Sequence, residues 1–487
     1  MLKNVVCVCL GLALIMASDL IARPTWAQQH EMDRLLQVVC VCLGLALIMA
    51  SDLIARPAWA QQYEMDRLLQ TALQRNPSVA SAKAQAQGAI ADMDTARWQR
   101  WPTVSATGLT LNGSAGVVLS TDHPGVALSV SQPLWTGGEL TARIRSSEAM
   151  AQAAETQVNV AGIQIALRML EAWQSMISAH YRLLAQESAL REYDRYREMM
   201  KRRVEAKVSP GVDMELLLTR TMDASSEANN SRVIEQVSRS RLELLAGISL
   251  TDVQFAGLME SVPNELLRQW ADSSALERLL KKVPGYTSVL KAQFEADAAR
   301  QNIAVAQAQL LPHLSARYDW QRGGTYTPTN LFSLSVTFQP GAGLSSVSQL
   351  RAQKARAEGY QLAVDAVKQD LSESLRIDWA NLKQNLARAE VQGMIVLSAS
   401  EVLASYERQF IAGRKSWLDV LNALRELTQY QVNMADSNAG AASAYYRLRC
   451  RSDDLLPTET RYRKEDQAKQ ETPDTRETQD EKENQRL

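Results

Sequence analysis

The sequence predicts a mainly α-helical protein with a small set of membrane-compatible β-strands, arranged as two copies of one unit. Three observations lead there. The chain repeats itself at an offset of about 207 residues, each copy holds a helical stretch far longer than a globular domain uses, and each copy has room for two short strands with one apolar face. The repeat is anchored by Lys83 and Lys291 (SVASAKAQAQ, TSVLKAQFEA), by Gln132 and Gln339 (SQPLWTGGEL, TFQPGAGLSS), and by Asp213 and Asp419 (VSPGVDMELL, GRKSWLDVLN), at offsets of 208, 207 and 206. Anchors spread this widely mean that a whole supersecondary unit is duplicated.

Only 14 prolines and 22 glycines punctuate 487 residues, so long helices are uninterrupted over most of the chain. A formal net charge of -1 gives no basic excess, so charge recommends neither nucleic acid nor an anionic membrane surface as a partner, and no nucleic acid is expected.

Residues 5–37 recur as 38–70 with two differences, Thr25/Ala58 and His30/Tyr63. Each copy runs from an apolar stretch (VVCVCLGLALIMA) to a small-residue ending, Trp26-Ala27-Gln28 or Trp59-Ala60-Gln61, the pattern of a secretory signal peptide. Each apolar run falls short of the roughly 20 residues that span a bilayer. Cutting after Ala60 removes both runs and is the favoured reading; cutting after Ala27, or a start at Met32, stays open. The region 1–60 is therefore read as leader. Four of five cysteines lie in it, leaving Cys450 alone, so neither an intrachain disulfide nor a thiolate metal cluster is expected.

The first structural repeat is assigned to 61–260 and the second, with equatorial segments, to 261–454. A helix over 63–101 opens the first. Residues 139–209 contain no proline and one glycine, Gly162, which predicts a helix on the order of 100 Å long. Ile163, Leu170, Ile177 and Leu184 recur every seventh residue with Leu167 between them, a coiled-coil seam, while Arg168, Glu171 and Arg182 take other faces. The counterpart over 344–412 carries Val364, Val367, Leu371, Leu375 and Leu382. Helices over 63–101 and 212–246, laid end to end, match the long one in length. Each repeat thus reads as one long helix beside two short ones in line.

Leu314, Ala316, Tyr318 and Trp320 alternate with polar residues, as do Phe332, Leu334, Val336 and Phe338, and Val126, Leu128 and Val130. Residues 103–112 alternate poorly. Strands near 10 residues suit a transmembrane barrel wall; a soluble sheet with one face on a core is the alternative. Pro102, Pro133, Pro312 and Pro340 fall at the helix–strand junctions, where a missing N–H is tolerated. Trp98, Trp101 and Trp135 map to one end of the strands and Tyr318, Trp320 and Tyr326 towards the other, as two interfacial girdles would, or as corner packing would. Four strands cannot close, and an open edge is not tolerated in lipid, so three chains sharing twelve strands is the simplest closure.

The turn QPLWTGGEL, its echo QPGAGLSS, the segment FIAGRKSWLDVLNALRE and the two-repeat layout resemble the TolC family of outer-membrane efflux proteins over about 63–450. The resemblance implies a homotrimer with a 12-stranded outer-membrane β-barrel continued by a periplasmic α-helical barrel. The stretch GISLTDVQFAGLMESVPNELLRQW from Gly247 would lie in a belt around its middle. It implies a passive duct that works with a periplasmic adaptor and an inner-membrane ABC transporter or other pump, without a cofactor. The segment GRKSWLDVLNALRE is similar to outer-membrane components of type I secretion systems that export large adhesins; drug and metal-ion efflux channels share the fold. By the same resemblance Asp213 and Asp419 match tip aspartates of the periplasmic mouth, Asn422 replaces a second acidic position, and Lys415 takes the place of a basic residue that ties the closed mouth. Lys207, Gly211, Gly413, Arg414 and Ser416 would then meet the adaptor. Rings of three aspartates are expected to attract cations and to raise one another's pKa. Helix capping through Ser416 and Asp419 is the plainer reading of that residue.

His123, His180 and His313 lie in no HExxH, phosphate loop or nucleotide fingerprint, and read as solvent-facing or capping residues; the chain does not read as an enzyme. From 455 to 487 charge is dense and apolar content nearly absent, the composition of a disordered tail. A secreted coiled-coil scaffold without a pore is the alternative from a different class.

Overall fold

The computed structural model describes residues 58–109, 125–259, 262–323, 326–339 and 341–454. Residues 1–57, most of the region read as leader, together with His123, Pro340 and the charged tail 455–487, lie outside them. The chain divides after Tyr63 into two compact units, and beyond residues 58–63 at the start of the first helix all the elements below belong to the second.

Helix α1 (Ala58–Arg75) and helix α2 (Pro77–Trp98) lead to strands β1 (Thr103–Leu109) and β2 (Gly125–Trp135), then to α3 (Glu139–Glu205) and α4 (Gly211–Ala246). Three short helices follow, α5 (Asp252–Met259), α6 (Asn264–Ala271) and α7 (Ser273–Lys281). The second repeat comprises α8 (Thr287–Ala308), β3 (His313–Gly323), β4 (Tyr326–Thr337), α9 (Ser345–Ile411) and α10 (Trp417–Arg451). The repeats agree in detail: α2 and α8 are both 22 residues, α3 and α9 both 67, and α4 and α10 are 36 and 35.

The helices form one layer. α3 packs against α2 and α4 on one flank and against α8 and α10 on the other, and α9 packs on the far side of α8 and α10. Each chain thus contributes four helical columns: α2 with α4, α3, α8 with α10, and α9. The expected seam of α3 is only half of what it buries. Ile163, Leu170 and Ile177 are buried, but so are Ile165, Ala166, Met169, Ala172, Trp173 and Met176, because a helix with neighbours on both sides needs two seams. Leu184 departs from the heptad reading and is exposed. On α9 the predicted stripe of Val364, Leu371, Leu375 and Leu382 is buried, with Val367 packed beside it.

The expected single helix over 63–101 is broken. Asn76 stands in extended geometry ahead of Pro77, and its side chain caps α2 by accepting from the Ser78 N–H at 2.9 Å. A proline at the first helical position fits because its N–H has no intrahelical partner there. The same Asn76 donates through Nδ2 to the carbonyl of Leu245 at 3.0 Å, at the end of α4. One buried amide therefore caps a starting helix and satisfies a finishing one, which holds the two in line. In the second repeat Asp453, past the end of α10, accepts from the backbone and hydroxyl of Thr287 at the start of α8, both at 2.8 Å. The junctions are equivalent in place and different in chemistry.

Helices α5, α6 and α7 carry the chain across the layer at this level. The Trp173 indole donates to Leu258 O at 3.0 Å and the Tyr181 hydroxyl to Met259 O at 2.8 Å, while the Trp379 indole reaches Asp272 O. His180 is part of this contact, 3.0 Å from Glu235 and edge-on to Phe255, which corrects the expectation that it faces solvent or caps a helix. Asp378 is buried and receives Arg447 at 2.9 Å and Arg451 at 2.8 Å, so its charge is doubly paired. Cys450 is buried beside them, and burial pushes its thiol up to about 12, an unreactive state at neutral pH.

Replacing Asn76 removes a cap and strands the Leu245 carbonyl. Asn76→Ala is expected to cost about 1–2 kcal/mol, read as a lower thermal midpoint in detergent, and Asn76→Asp, which keeps the cap but not the donor, is expected to fall between.

Candidate functional site

Two ends of the layer are candidates, the sheet and the helical tips. The strands pair antiparallel in the order β1-β2-β3-β4, so that β2–β3 joins the repeats and β1 and β4 are open edges. Directly opposed residues share a face. Val104, Val130, Tyr318 and Phe332 are in register across all four strands, with Leu128, Trp320, Leu334 and Val336 on the same side. The opposite side carries Ser105, Ser129, Ser131, Ser315, Arg317, Asp319, Ser333 and Ser335, with Ala127 and Leu331 among its apolar members. Here Ser129 donates to Asp319 at 2.6 Å, Arg317 to Asp319 at 3.1 Å, and Ser315 and Ser335 are 2.7 Å apart. Among the described residues nothing is packed on the apolar side: Val104 is 64% exposed and Phe332 and Val336 are each 70% exposed. A soluble sheet would bury that face, so the sheet is built for an apolar surround.

The corners follow from the prolines. Pro102 and Pro312 immediately precede β1 and β3. Pro133 lies inside β2, not at its end, where a register shift between Pro133 and Trp135 accommodates the missing donor. Gly137, at φ +62°, turns the chain into α3 so close to Leu311 that a Cβ would stand 2.9 Å from its side chain. Trp98, Trp101 and Trp135 are exposed at this end, with the first two rings 6.2 Å apart. The second aromatic group is less orderly than its spacing suggests. Trp320 lies towards the far end, but Tyr318 is mid-strand opposite Val130 and Phe332, and the side chain of Tyr326 is outside the described residues. His313 sits at the start of β3, 3.6 Å from Glu139 at the start of α3.

At the other end the α3–α4 turn (206–210) and the α9–α10 turn (412–416) have one geometry. Val208 N–H bonds Arg203 O and Arg414 N–H bonds Gln409 O, both at 2.8 Å, and the residue before each is left-handed, Lys207 at φ +58° and Gly413 at φ +74°. Ser416 caps α10 in a full capping box with Asp419. The backbone N–H and hydroxyl of Ser416 hold the Asp419 carboxyl below the usual carboxylate range, with Lys415 adding to the effect at 3.9 Å. Within one chain the shift is thus opposite to the rise expected from a ring of like charges, because hydrogen bonds to the charged form dominate. Lys415 also stands over the Tyr406 ring at 4.3 Å. Lys207, Gly211, Gly413, Arg414 and Ser416 are exposed, and Asp213, Lys415, Asp419 and Asn422 are half-buried.

What ties the turns together was not singled out by sequence. The Trp417 indole donates to the carbonyl of Asp213 at 3.1 Å, and its ring is buried between Tyr196 and Phe410, with centroids at 5.3 and 5.1 Å. Beside it Glu407 of α9 accepts from Arg195 of α3 at 2.6 Å and from the Tyr196 hydroxyl. Arg203 lies over Phe410 at 4.7 Å and donates to Ser209. A lone tryptophan at the start of a predicted helix was the available signal; the pairing of Glu407 with residues more than 200 positions away had none.

The family model described as outer membrane efflux protein matches residues 68–246 and 286–450, the helical and strand elements of the two repeats. The outer membrane protein TolC of Vibrio cholerae is 22% identical over 390 residues, covering 76% of this chain and 85% of that protein. The outer membrane efflux protein BepC of Brucella suis is 22% identical over 244 residues, 47% of this chain and 52% of that protein. Among solved structures, the outer membrane protein VceC of Vibrio cholerae superposes with a TM-score of 0.67 at 17% identity, covering 81% of this chain and 98% of that one.

Trp417→Ala is expected to cost about 3–5 kcal/mol and to speed trypsin cleavage at Lys207 and Arg414, whereas Trp417→Phe, which loses the bond to Asp213 and part of the indole's packing but keeps an aromatic ring between Tyr196 and Phe410, should cost less, about 1–3 kcal/mol. The pH dependence has a definite sign. Since the folded pKa of Asp419 is depressed, its capping contribution is present above the ordinary carboxylate range and lost as pH falls through the folded value. Protease resistance of the 412–416 turn should therefore hold from neutrality through mild acid and fail only at more acidic pH, and Asp419→Asn should flatten that profile.

Proposed function

This chain belongs to the outer membrane efflux protein family, and from that membership we propose that three copies form a passive duct through the outer membrane. The observation that carries the proposal is that both layers of the chain end in unpartnered edges. β1 and β4 close the sheet only through another copy. The helical layer ends in α4, where Val233, Val237 and Leu244 are exposed, and in α9, where Leu362, Met394 and Leu397 are exposed. Joining such edges removes apolar surface from water at about 25 cal/mol per Å². Three copies give twelve strands and twelve helical columns, one column per strand, with the Ser-rich face lining the bore and the Val104–Phe332 face towards lipid.

In this reading the helical barrel extends into the periplasm and the two turns form its mouth. Asp213 and Asp419 line the constriction. An adaptor engages Lys207, Gly211, Gly413, Arg414 and Ser416, and an ABC transporter or other inner-membrane pump supplies the work. Opening is a displacement of the tips, held shut within each chain by Trp417 on Asp213 and by Glu407 on Arg195 and Tyr196. The cargo is protein, a large adhesin; the resemblance of GRKSWLDVLNALRE to type I secretion components supports this choice over drugs or metal ions.

Planar-bilayer recording of the purified trimer tests the duct. Conductance is expected, with cation preference that falls in Asp419→Ala; a detergent-extracted protein with no conductance in any variant would return the chain to the scaffold class. Deletion should abolish surface display of an adhesin and leave drug tolerance unchanged, and the reverse pattern would reassign the cargo.

A further inference from the structure

The duplication sets up one corner contact twice, and only one of the two is complete within a chain. Helices α3 and α9, both of 67 residues, are each preceded by two left-handed residues, Gly137-Gly138 and Gly343-Leu344. Helices α2 and α8, both of 22 residues, end at Trp98 and Ala308. They pass to β1 and β3 through the same turn, in which Trp101 N–H bonds Trp98 O at 2.9 Å and Leu311 N–H bonds Ala308 O at 3.0 Å. Inside the chain the β2–α3 corner seats on the α8–β3 corner: a Cβ on Gly137 would stand 2.9 Å from the Leu311 side chain and 3.4 Å from Ala308 O. Ala142 and Ser146 are buried there, with Ser146 bonded to Asn302 of α8 at 2.9 Å.

The counterparts of these residues are uncovered among the described residues. A Cβ on Gly343 would meet nothing within 4 Å. Ser348 and Ala352, which stand for Ala142 and Ser146, are exposed. Trp98 and Trp101, which stand for Ala308 and Leu311, are 68% and 64% exposed. Trp98 lies roughly 160° around α2 from the buried Ala82, so it is turned away from α3, the helix on which α2 packs. Leu344 takes the place of Gly138, keeps the left-handed backbone at φ +60° and is 60% exposed. Leucine holds that conformation only under strain, and its own chain leaves it uncovered.

We propose that the β4–α9 corner of one copy receives the α2–β1 corner of the next, so that Trp98 and Trp101 pack on Gly343 and Leu344 in a site completed only between copies. This rests on the trimer proposed above, in which β4 runs beside the next copy's β1 and brings the two corners together. Gly343 lets a large ring approach the backbone, as Gly137 does for Leu311, and the small Ser348 and Ala352 leave room for Trp98. The strain at Leu344 is offset by apolar area that leaves water only on assembly. An interfacial girdle does not account for the tryptophan pair. Its counterpart at the α8–β3 corner is Ala308 with Leu311, so the pair stands only at the corner that meets another copy.

The test is thiol trapping in membranes. Trp101→Cys with Leu344→Cys in one chain, treated with a short bifunctional methanethiosulfonate, should give a covalently linked trimer at about ten times the yield of either single variant. Heating in detergent supplies a second readout. Leu344→Gly relieves the turn yet should lower the temperature at which the trimer dissociates, as should Trp101→Ala, and the double variant should fall short of the two shifts added together. A trimer of the expected mass that the cysteine pair does not link overturns the proposal, and so does a dissociation temperature that Leu344→Gly raises or leaves unchanged. Labelling of Trp101→Cys by a lipid-soluble maleimide in the intact trimer overturns it too, since that places the pair against lipid. Absence of any trimer would remove the duct reading itself, which is a separate outcome.

Discussion

Unpaired backbone at a strand edge is the constraint on which the rest of this molecule depends. In water an open edge is a liability; in hydrocarbon each bare N–H or C=O costs several kcal/mol, and no local rearrangement supplies the partner. A sheet of four strands with an apolar face therefore commits the chain to self-association. The helical layer below repeats the condition in weaker form, since α4 and α9 leave aliphatic side chains uncovered on its two flanks. In the proposed trimer, sheet and helices are closed by the same symmetry operation, because each chain brings four strands and four helical columns.

The duplication makes that matching possible, and the repeats have since diverged where their surroundings differ. Asn76 joins α2 to α4 with one amide, whereas Asp453 joins α8 to α10 with a carboxylate brought in from beyond the helix end. Asp378 is buried between Arg447 and Arg451, whereas the counterpart pair of the first repeat, Glu171 with Arg241 at 3.7 Å, is exposed. α3 is flanked on both sides within its own chain and buries two rows of residues, while α9 keeps one row for the chain and leaves another uncovered. The sequence periodicities differ accordingly.

Much of this was legible in the residues. Proline-free stretches announced both long helices because proline alone reliably stops a helix, and alternation in β3 and β4 announced two-faced strands because the period of a strand is two. β1, which alternates poorly, was readable only through its place in the repeat. Less legible were features made by contact between distant segments. The break at Asn76 rests on a single Asn-Pro step inside an otherwise helical pattern, and the bond to Leu245 that fixes it joins segments 169 residues apart. The second seam of α3 is made of alanines and methionines that carry little periodic signal. Trp417 could have been noticed as a large aromatic directly after a capping serine, but its bond to Asp213 lies outside anything spacing reports, and so does the link from Glu407 to Arg195 and Tyr196.

The end-to-end abutment at Asn76 has a mechanical consequence. A torque applied to the 206–210 turn runs up α4 and reaches a break in the backbone, crossed by the Asn76 amide and by the packing of Leu242 and Ala246 in the core shared with Val79, while α3 carries its share without interruption. In the proposed opening of the mouth, that break sets where α4 turns against α2, so the rotation does not have to pass into the strands, and the wall in the bilayer stays still while the periplasmic end moves.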